Sequence, residues 1–402
     1  MKLVNQQLIK NTNLKLLYNS VFKNRGISRA ALARQTGLSR TAVSALIDEL
    51  SDRGFLFDSG TGDSSGAGRK PTCLELCAGN YFVAVFGWEE SSVHAFLIDI
   101  CGTTSMQMRL DKAPSDSYAQ ICRTFLMDQI LEQIRPEQLL GLCFVLPAMI
   151  DPEKEEVFST TFSLAGDQGE AGVIPCLRSL FPDYAVAVLN DTACCAYAEK
   201  IYTGIREKDY AFIRFSRGIG ASLFIQDKLL GQACASYTQF GHFSISPEGP
   251  PCPCGSRGCL EVVLSESTLK GRLQAKGTAS SLLSMDTVRY EDLGRAALYG
   301  DTAAVQVIRD LAGEFSFALS NLICLVHPRL IVLGGNSVSL GSVFLEEIRR
   351  SLSETSFARM TENVKLRYSQ LDFYACYNGA MKYFFDHHYQ FTEPMEGSFF
   401  IG

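Results

Sequence analysis

The chain has 402 residues, of which 47% are hydrophobic and 20% charged, a composition typical of a globular protein with about two to four domains. Its longest apolar stretch, near residues 139–150, is interrupted by Pro147 and is too short to span a bilayer. The N-terminus lacks the apolar segment of a signal peptide, so we expect a cytoplasmic protein with no membrane partner. The net charge of -6 is uneven, because residues 1–70 carry eleven Lys/Arg against five Asp/Glu. This basic N-terminal region predicts a polyanionic partner.

Residues 1–76 predict a DNA-binding domain of helices followed by a strand pair. Ser28 and Ser39 are suited to cap helices over residues 29–35 and 40–52, and Gly37 can take a positive φ in the turn between them. The second of these helices carries one apolar stripe, formed by Val43, Leu46, Ile47 and Leu50.

The polar start of the second helix is where a recognition helix presents side chains to base edges in the major groove. Strands over residues 55–57 and 72–74 would enclose a Gly/Ser-rich wing that ends in Gly-Arg-Lys-Pro, which is compact and cationic enough to enter a minor groove. The candidate DNA-contacting residues are Ser39, Arg40, Thr41, Ser44, Arg69 and Lys70. The alternative is an ordinary helical hairpin with a polar face.

Beyond this region, strand patterns alternate with helix patterns, which predicts an α/β fold. The predicted strands cover residues 82–86, 93–98, 140–146, 185–189, 211–215, 221–225 and 330–333. Helical patterns include residues 117–133 and 303–326, and the residues after Tyr389 are predicted to be a loose tail.

Four potential metal ligands are clustered in the α/β region. His242 precedes Cys252, Cys254 and Cys259 in the pattern His-x9-Cys-x-Cys-x4-Cys. Three thiolates and an imidazole are the donor set of a tetrahedral Zn²⁺ site in which every position is filled by protein. We therefore expect a structural zinc ion. The alternative is three buried cysteines and a core histidine.

Two short motifs are candidates for a ligand site. Asn190 and Asp191 follow a predicted strand and open a helical stretch, and a carboxylate at a strand end commonly lies in the ligand crevice of an α/β fold. Either residue would also serve as a helix N-cap. The stretch Phe-Ser-Arg-Gly-Ile-Gly-Ala from Phe215 is a glycine turn between strands, which a hairpin alone would also require.

Together these motifs resemble the ROK family of repressors, open reading frames and kinases, over nearly the whole chain. The most specific match is the metal motif: Gly241, His242, Cys252, Cys254, Gly255, Gly258, Cys259, Leu260 and Glu261. The resemblance implies two actin-like (ribonuclease H-like) α/β lobes: residues 80–190, completed by a helix near 377–390, and residues 191–376, with the zinc site and an oligomerisation surface. It also implies a sugar in the cleft between the lobes, and a homodimer or homotetramer on a palindromic double-stranded DNA operator.

The resemblance implies a set of sugar contacts: Asn190, Asp191, Gln239, His242 and Glu261. Asp191 resembles the general base of the family's kinases, and Glu261 resembles the residue that takes a sugar hydroxyl. The pocket is altered, because Gln239 stands where the kinases have Glu, and Ala148 and Ser163 stand where the family has Gly and Asn. The implied effector is a monosaccharide or a sugar phosphate.

The nucleotide half departs further from the kinases. Their phosphate loop, Asp-x-Gly-Gly-Thr, corresponds here to the stretch from Phe86 to Ser92, where Trp88 and two acids replace the glycines. Two anions there would repel ATP phosphates. We therefore expect a sugar-responsive repressor of carbohydrate-utilisation genes, not an enzyme, with Asp191 as a vestigial base. The alternatives are a sugar kinase with a DNA-binding head, and a DNA-binding protein whose sugar pocket is inactive.

Overall fold

The structure is a computed structural model, and it describes residues 6–61, 72–151, 154–158, 164, 167, 169, 172–231, 238–354, 358–372 and 374–392. The chain divides into two compact units. The first unit combines residues 1–144, 176–188 and 380–402, and the second combines residues 145–175 and 189–379. Across the described ranges, no helix has both the length and the apolar character needed to cross a membrane.

The first unit begins with a winged helix-turn-helix head. Its elements are α1 (Gln6–Lys23), β1 (Ile27–Ser28), α2 (Arg29–Thr36), α3 (Arg40–Asp52), β2 (Leu56–Thr61) and β3 (Thr72–Leu76). The Ser28 and Ser39 hydroxyls accept the backbone N–H of Ala31 and Ala42, and Gly37 follows α2 with a φ of 73°. Both predicted caps and the predicted turn are therefore confirmed. The strands form an antiparallel sheet in the order β1-β3-β2.

The head shares a hydrophobic core with other parts of the first unit. Buried side chains of α1 and α3 belong to the same cluster as Ile100 and Phe391. The Tyr18 hydroxyl donates to the Ile100 carbonyl oxygen at 2.6 Å, and Arg53 Nη1 donates to the Phe391 carbonyl oxygen at 2.6 Å. Because Phe391 is 5% exposed, the prediction of a loose tail directly after Tyr389 is wrong. Burial of this apolar ring offsets the entropy lost when the segment is ordered.

A five-stranded sheet follows the head. The elements in chain order are β4 (Phe82–Glu89), β5 (Ser92–Asp99), β6 (Thr104–Asp111), α4 (Tyr118–Phe125), β7 (Leu139–Leu146), β8 (Met149–Asp151), β9 (Glu156–Phe158), α5 (Val173–Leu180) and β10 (Val186–Asn190). The order in the sheet is β10-β7-β4-β5-β6, and β8 and β9 form a separate antiparallel pair. The helix predicted over residues 117–133 is shorter, because α4 ends at Phe125 and continues as a π-helix, Leu126–Ile130.

The second unit contains another five-stranded sheet. Its elements are α6 (Asp191–Tyr202), β11 (Tyr210–Phe215), β12 (Ile219–Ile225), β13 (Lys228–Leu229), α7 (Leu260–Val263), α8 (Leu269–Ala275), α9 (Tyr290–Leu298), α10 (Thr302–Val326), β14 (Leu330–Gly335), α11 (Gly341–Ser353), α12 (Ala358–Thr361), β15 (Lys365–Tyr368) and α13 (Ala375–His387). The order is β13-β12-β11-β14-β15, with β11, β14 and β15 parallel. Side chains of β11 and β14 pack in one core with those of α10 and α11. The predicted α/β architecture is confirmed, and α13 runs from the second unit into the first.

Candidate DNA-binding face, metal centre and sugar site

The start of α3 presents a polar face on a well-packed helix. Ser39, Arg40 and Thr41 are exposed and Ser44 is half-buried. On the opposite face, three side chains are fully buried: Val43, Ile47 and Leu50. The structure therefore brings the four residues predicted from this helix together at its N-terminal end, with the solvent exposure that base contacts require.

Arg29 forms two ion pairs that connect the elements of the head, and sequence reasoning missed them. Arg29 Nη1 lies 2.5 Å from Asp48 Oδ1, and Arg29 Nη2 lies 3.3 Å from Asp58 Oδ2, so a guanidinium of α2 links α3 to β2. Exposed pairs of this kind contribute about 1 kcal/mol or less, so their effect is mainly on orientation. The predicted wing residues Arg69 and Lys70 lie outside the described residues, although the flanking strands β2 and β3 pair as expected.

His242, Cys252, Cys254 and Cys259 lie together, and their ligand atoms are all within 4.8 Å of one another. His242 Nδ1 lies 3.5 Å from Cys252 Sγ, and Cys254 Sγ lies 3.7 Å from Cys259 Sγ. In a tetrahedron with metal–sulfur bonds of about 2.3 Å and metal–nitrogen bonds of about 2.0–2.1 Å, the corresponding edges are about 3.6 and 3.8 Å. The cluster therefore has the donor set of a metal site, and two of its six ligand–ligand distances are close to those of a tetrahedron around zinc.

The backbone around the cluster folds tightly enough to place these ligands. The Gly255 N–H donates to the Cys252 carbonyl oxygen at 2.9 Å, and the Cys252 N–H donates to the Ser256 carbonyl oxygen at 2.9 Å. A β-bridge joins Ser244 to Cys259, which brings the segment after His242 back to the last ligand. Short-range turns and β-bridges thus build the cluster from a single stretch of chain.

Asn190 lies where β10 ends and α6 begins. Its Oδ1 accepts the Ala193 N–H at 2.9 Å, and its Nδ2 donates to the Ala148 carbonyl oxygen at 2.9 Å. The N-cap role that the sequence left open is therefore confirmed for Asn190, which is 5% exposed. Because its amide oxygen and nitrogen both have partners, Asn190 fixes the backbone from which Asp191 projects.

Asp191 forms a buried ion pair that sequence reasoning also missed. Its Oδ1 accepts the Thr192 N–H at 2.6 Å, and its Oδ2 contacts Arg214 Nη1. The side chains of Asp191 and Arg214 are 15% and 8% exposed. Burial is the largest single effect and disfavours the guanidinium charge, but the attractions of Asp191 and of the neighbouring Cys195, Cys376 and Tyr377 together outweigh it, so the pKa of Arg214 is raised above its usual value. A signal was present in the sequence, since Arg214 is the one charged residue of the apolar strand β11 and a buried charge requires a partner.

Residues 216–220 comprise the turn between β11 and β12 and the first two residues of β12, and we refer to them as the 216–220 turn. This turn lies against two of the predicted sugar-contacting regions. Glu261 Oε2 accepts the Ile219 N–H at 3.0 Å. A Cβ on Gly220 would lie 2.6 Å from Thr192 Oγ1, so the far end of the turn abuts the residue after Asp191. The structure thus brings the neighbourhoods of Asp191 and Glu261 to the same turn.

The other two predicted sugar contacts stand close together in the chain. Gln239 is exposed and precedes the short helical turn Phe240–His242, and His242 is half-buried. A cavity of about 150 Å³ beside the 216–220 turn is lined by Phe215, Ser216, Arg217, Gly218, Ile219, Glu261, Ser265, Glu266 and Tyr290. Of the predicted sugar contacts, all of which the structure describes, Glu261 alone lines this cavity.

The stretch from Phe86 to Ser92 forms a closed β-hairpin with a two-residue turn. Trp88 is 2% exposed and stacks on Tyr118, with ring centroids 4.7 Å apart. The Tyr118 hydroxyl donates to the Glu89 carbonyl oxygen at 2.7 Å. A hydrogen bond with His94 holds the pKa of Glu89 below its usual value, so this carboxylate stays ionised. The hairpin therefore packs Trp88 against Tyr118 and carries the negative charge of Glu89.

Comparison with protein families and with known sequences gives a consistent result. The model of the ROK family matches residues 91–386, and a model of winged helix-turn-helix DNA-binding domains matches residues 10–56. The chain is 26% identical to the putative xylose repressor of Caldicellulosiruptor sp. (strain Rt8B.4), over 94% of this chain and 96% of that protein. It is 26% identical to the xylose repressor of Bacillus subtilis (strain 168), over 92% and 94%. It is 22% identical to the N-acetylglucosamine repressor of Escherichia coli O157:H7, over 92% and 91%.

Solved structures share the fold. A ROK family transcriptional regulator, described as a homolog of the E. coli MLC protein, superposes with a TM-score of 0.78 at 22% identity, over 93% of this chain and 96% of that chain. A ROK family glucokinase from Streptomyces griseus, in complex with glucose and AMPPNP, superposes with a TM-score of 0.60 at 21% identity, over 75% of this chain and 98% of that chain. The regulator matches nearly the whole chain, whereas the kinase matches three quarters of it.

Proposed function

The chain belongs to the ROK family, and from that premise we propose that it is a transcription repressor whose affinity for its operator responds to a sugar. The observation that carries the proposal is the presence of a winged helix-turn-helix head and a ROK domain in one chain. Proteins named as xylose and N-acetylglucosamine repressors match this combination over more than nine-tenths of the chain.

The proposed DNA contacts are Ser39, Arg40, Thr41, Ser44, Arg69 and Lys70. The exposed guanidinium of Arg40 suits a bidentate contact with a guanine edge, and the short hydroxyl side chains beside it suit bases or phosphates. Helix-turn-helix proteins read half-sites about 34–36 Å apart as symmetric dimers. We therefore expect a palindromic operator and a homodimer or homotetramer.

We assign Zn²⁺ to the cluster of His242, Cys252, Cys254 and Cys259. The three thiolates and one imidazole, with two of the six ligand–ligand distances near those of a tetrahedron around zinc, support this assignment. Bound there, the ion would cross-link the chain between His242 and the start of α7 and would hold Glu261 in place. The protein fills all four positions, so the role is structural.

The proposed sugar contacts are Asn190, Asp191, Gln239, His242 and Glu261. Carboxylates suit a polyol because they accept hydrogen bonds from hydroxyl groups, and the metal-bound imidazole of His242 would donate one from its other ring nitrogen. The approach of the Asp191 and Glu261 neighbourhoods to the same turn supports a shared site. The effector is a monosaccharide or a sugar phosphate.

Two contacts oppose kinase activity. Asp191 is held in a buried ion pair: if it took up a hydroxyl proton, as a general base must, Arg214 would be left buried without its counter-charge. In the phosphate-loop position, Trp88 and Tyr118 fill the hairpin where the kinases carry glycines. We therefore propose that the chain senses a sugar without phosphorylating it.

The deciding experiment is operator selection from genomic fragments, using the full-length protein with and without a sugar panel. The panel contains xylose, glucose, N-acetylglucosamine and their phosphates. We expect one palindromic site to be enriched and one sugar to change its affinity. Asp191→Ala should lose the sugar response and keep DNA binding. Arg40→Ala should weaken DNA binding and keep sugar binding.

Each other result points to a different function. Specific DNA binding that is indifferent to every sugar would leave a repressor with an inactive pocket. Absence of specific DNA binding would contradict the proposal, and ATP-dependent phosphorylation of a panel sugar would then favour the kinase with a DNA-binding head.

A further inference from the structure

Two cysteine thiols lie next to the ion pair of Asp191 and Arg214. Cys195 is on α6, one helical turn after Asp191, and Cys376 is in the first turn of α13. The two thiols are hydrogen-bonded to each other, and both interact with the charge of Arg214. Cys376 is 2% exposed, whereas Cys195 is partly exposed. The Cys195 thiol group is itself enclosed by its neighbours, so only a small oxidant could reach the pair.

The two helices that carry these thiols cross in backbone contact. A Cβ on Gly379 would lie 2.1 Å from the Cys194 carbonyl oxygen and 3.0 Å from the Ala198 N, so only glycine fits at this crossing. Gly379 lies three residues after Cys376, on the same face of α13. Cys195 lies between the two contact points on α6. The close crossing, together with the hydrogen bond between the thiols, places the two cysteines as neighbours on facing helices.

Cys195 also has the electrostatic surroundings of a reactive thiol. The hydrogen bond from Cys376 lowers the pKa of Cys195, and Arg214 acts in the same direction, against burial and the carboxylates of Asp191 and Glu199. The same hydrogen bond raises the pKa of Cys376 well above its usual value, so this partner keeps its proton. A thiol with a lowered pKa beside a protonated resolving thiol is an arrangement that favours oxidation by peroxide.

We propose that Cys195 and Cys376 are a dithiol site that hydrogen peroxide converts into a disulfide between α6 and α13. The Cys195 thiolate attacks one peroxide oxygen, the O–O bond breaks, and hydroxide leaves, which gives a sulfenic acid. The Cys376 sulfur then attacks the Cys195 sulfur, an S–S bond forms, and the S–O bond breaks. The hydroxyl group leaves as water with the Cys376 proton. Two thiols are oxidised, and one peroxide is reduced to two waters.

The disulfide would join two helices, α6 and α13, that have different roles. In the second unit it would fix α6, the helix that begins with Asp191. In the first unit the same helix α13 holds the head, because Lys382 Nζ donates to Asn19 Oδ1 on α1 at 2.7 Å. An effect of oxidation on the sugar response rests on the proposed function, whereas formation of the disulfide does not.

The test uses the full-length, zinc-loaded, reduced protein, titrated with hydrogen peroxide and then alkylated for peptide mapping under non-reducing conditions. We expect a cross-linked peptide that contains Cys195 and Cys376. It should disappear in Cys195→Ser and in Cys376→Ser, and persist in Cys194→Ser, which changes the adjacent buried thiol. The proposal is wrong if Cys195 stays alkylatable while exposed Cys324 is oxidised, or if it becomes a sulfinic acid without a cross-link.

A second measurement tests the reactivity of Cys195 and does not depend on disulfide formation. Cys376→Ala removes the hydrogen bond to the thiolate, so alkylation of Cys195 by iodoacetamide at neutral pH should slow by about tenfold for each pKa unit that Cys195 regains. An unchanged rate would overturn the proposed activation.

The operator assay then separates this proposal from the sugar site. If the disulfide forms but no sugar acts in either redox state, the dithiol site stands and the sugar assignment fails. If sugars act and no disulfide forms, the reverse holds.

Discussion

His388 should make the stability of the first unit depend on pH, and its replacement tests how the C-terminal segment is packed. The residue directly follows α13, and its ring stacks on Phe384 with centroids 5.9 Å apart. Its Nε2 is buried and has no hydrogen-bond partner among the described residues. Burial, with smaller contributions from His387 and Lys15, lowers the pKa of His388 from 6.5 to about 4.

The sign of the effect follows from proton binding. Between pH 4 and 6.5 the unfolded chain protonates this imidazole and the folded chain does not, so the unfolded state binds more protons. Stability therefore rises with pH through this window and is lost as the pH falls from about 6.5 towards 4. At about 1.4 kcal/mol for each pH unit, the contribution of His388 amounts to roughly 3 kcal/mol at the acidic end.

The assay is urea unfolding followed by the fluorescence of Trp88, the single tryptophan of the chain, which lies in the first unit with His388. His388→Phe keeps an aromatic ring against Phe384 and removes the titrating group. Between neutral and acidic pH, the free energy of unfolding of this variant should therefore decrease by roughly 3 kcal/mol less than that of the wild type. His387→Phe gives a comparison at the adjacent imidazole, where the charge of Asp386 opposes the lowering of the pKa by burial, so a smaller change in the pH dependence is expected. Parallel curves for the wild type and His388→Phe would refute the reasoning.

Other substitutions test the head, the metal centre and the buried ion pair. Arg40→Ala should weaken operator binding by about 1–3 kcal/mol in fluorescence anisotropy, without a change in thermal unfolding, because it removes an exposed base-contacting side chain. Cys259→Ser should reduce bound zinc, measured by atomic emission, and lower the unfolding temperature, whereas Cys324→Ser, at an exposed site on α10, should change neither. Arg214→Met should destabilise the second unit by about 3–5 kcal/mol in urea unfolding, because Asp191 is left buried without its counter-charge, and adding Asp191→Asn should recover part of the loss.

Features that depend on neighbouring residues could be predicted from the sequence. The recognition helix α3 has the predicted bounds, Arg40–Asp52, because Ser39 caps its first turn and the apolar stripe sets its buried face. The metal cluster was also predictable, since three of its ligands lie within eight consecutive residues, from Cys252 to Cys259. In both cases the interacting groups are close in the chain, so the residue spacing alone fixes the geometry.

Features that depend on distant parts of the chain were missed. Phe391 is ordered because its N–H donates to Asn11 Oδ1 at 2.8 Å, and these residues are 380 positions apart. The aromatic residues Phe385 and Tyr389 were a signal that this segment packs on something, but they do not identify α1 as the partner. The ion pair between Asp191 and Arg214 was missed for the same reason, because each residue stands in a different element of the second unit.

The proposed metal centre and the proposed sugar site share the same stretch of backbone, which would link a structural role to the sensing role. His242 belongs to both sets, and Glu261 follows the ligand Cys259 by two residues, in the first turn of α7. Glu261 accepts a hydrogen bond from the Ile219 N–H, so a displacement of α7 would also move the 216–220 turn. The described head residues are distant from this stretch in sequence, and their core is formed with other residues of the first unit. Loss of the metal should therefore impair the sugar response at lower chelator concentrations than operator binding, and simultaneous loss of both would mean that the metal supports the whole fold.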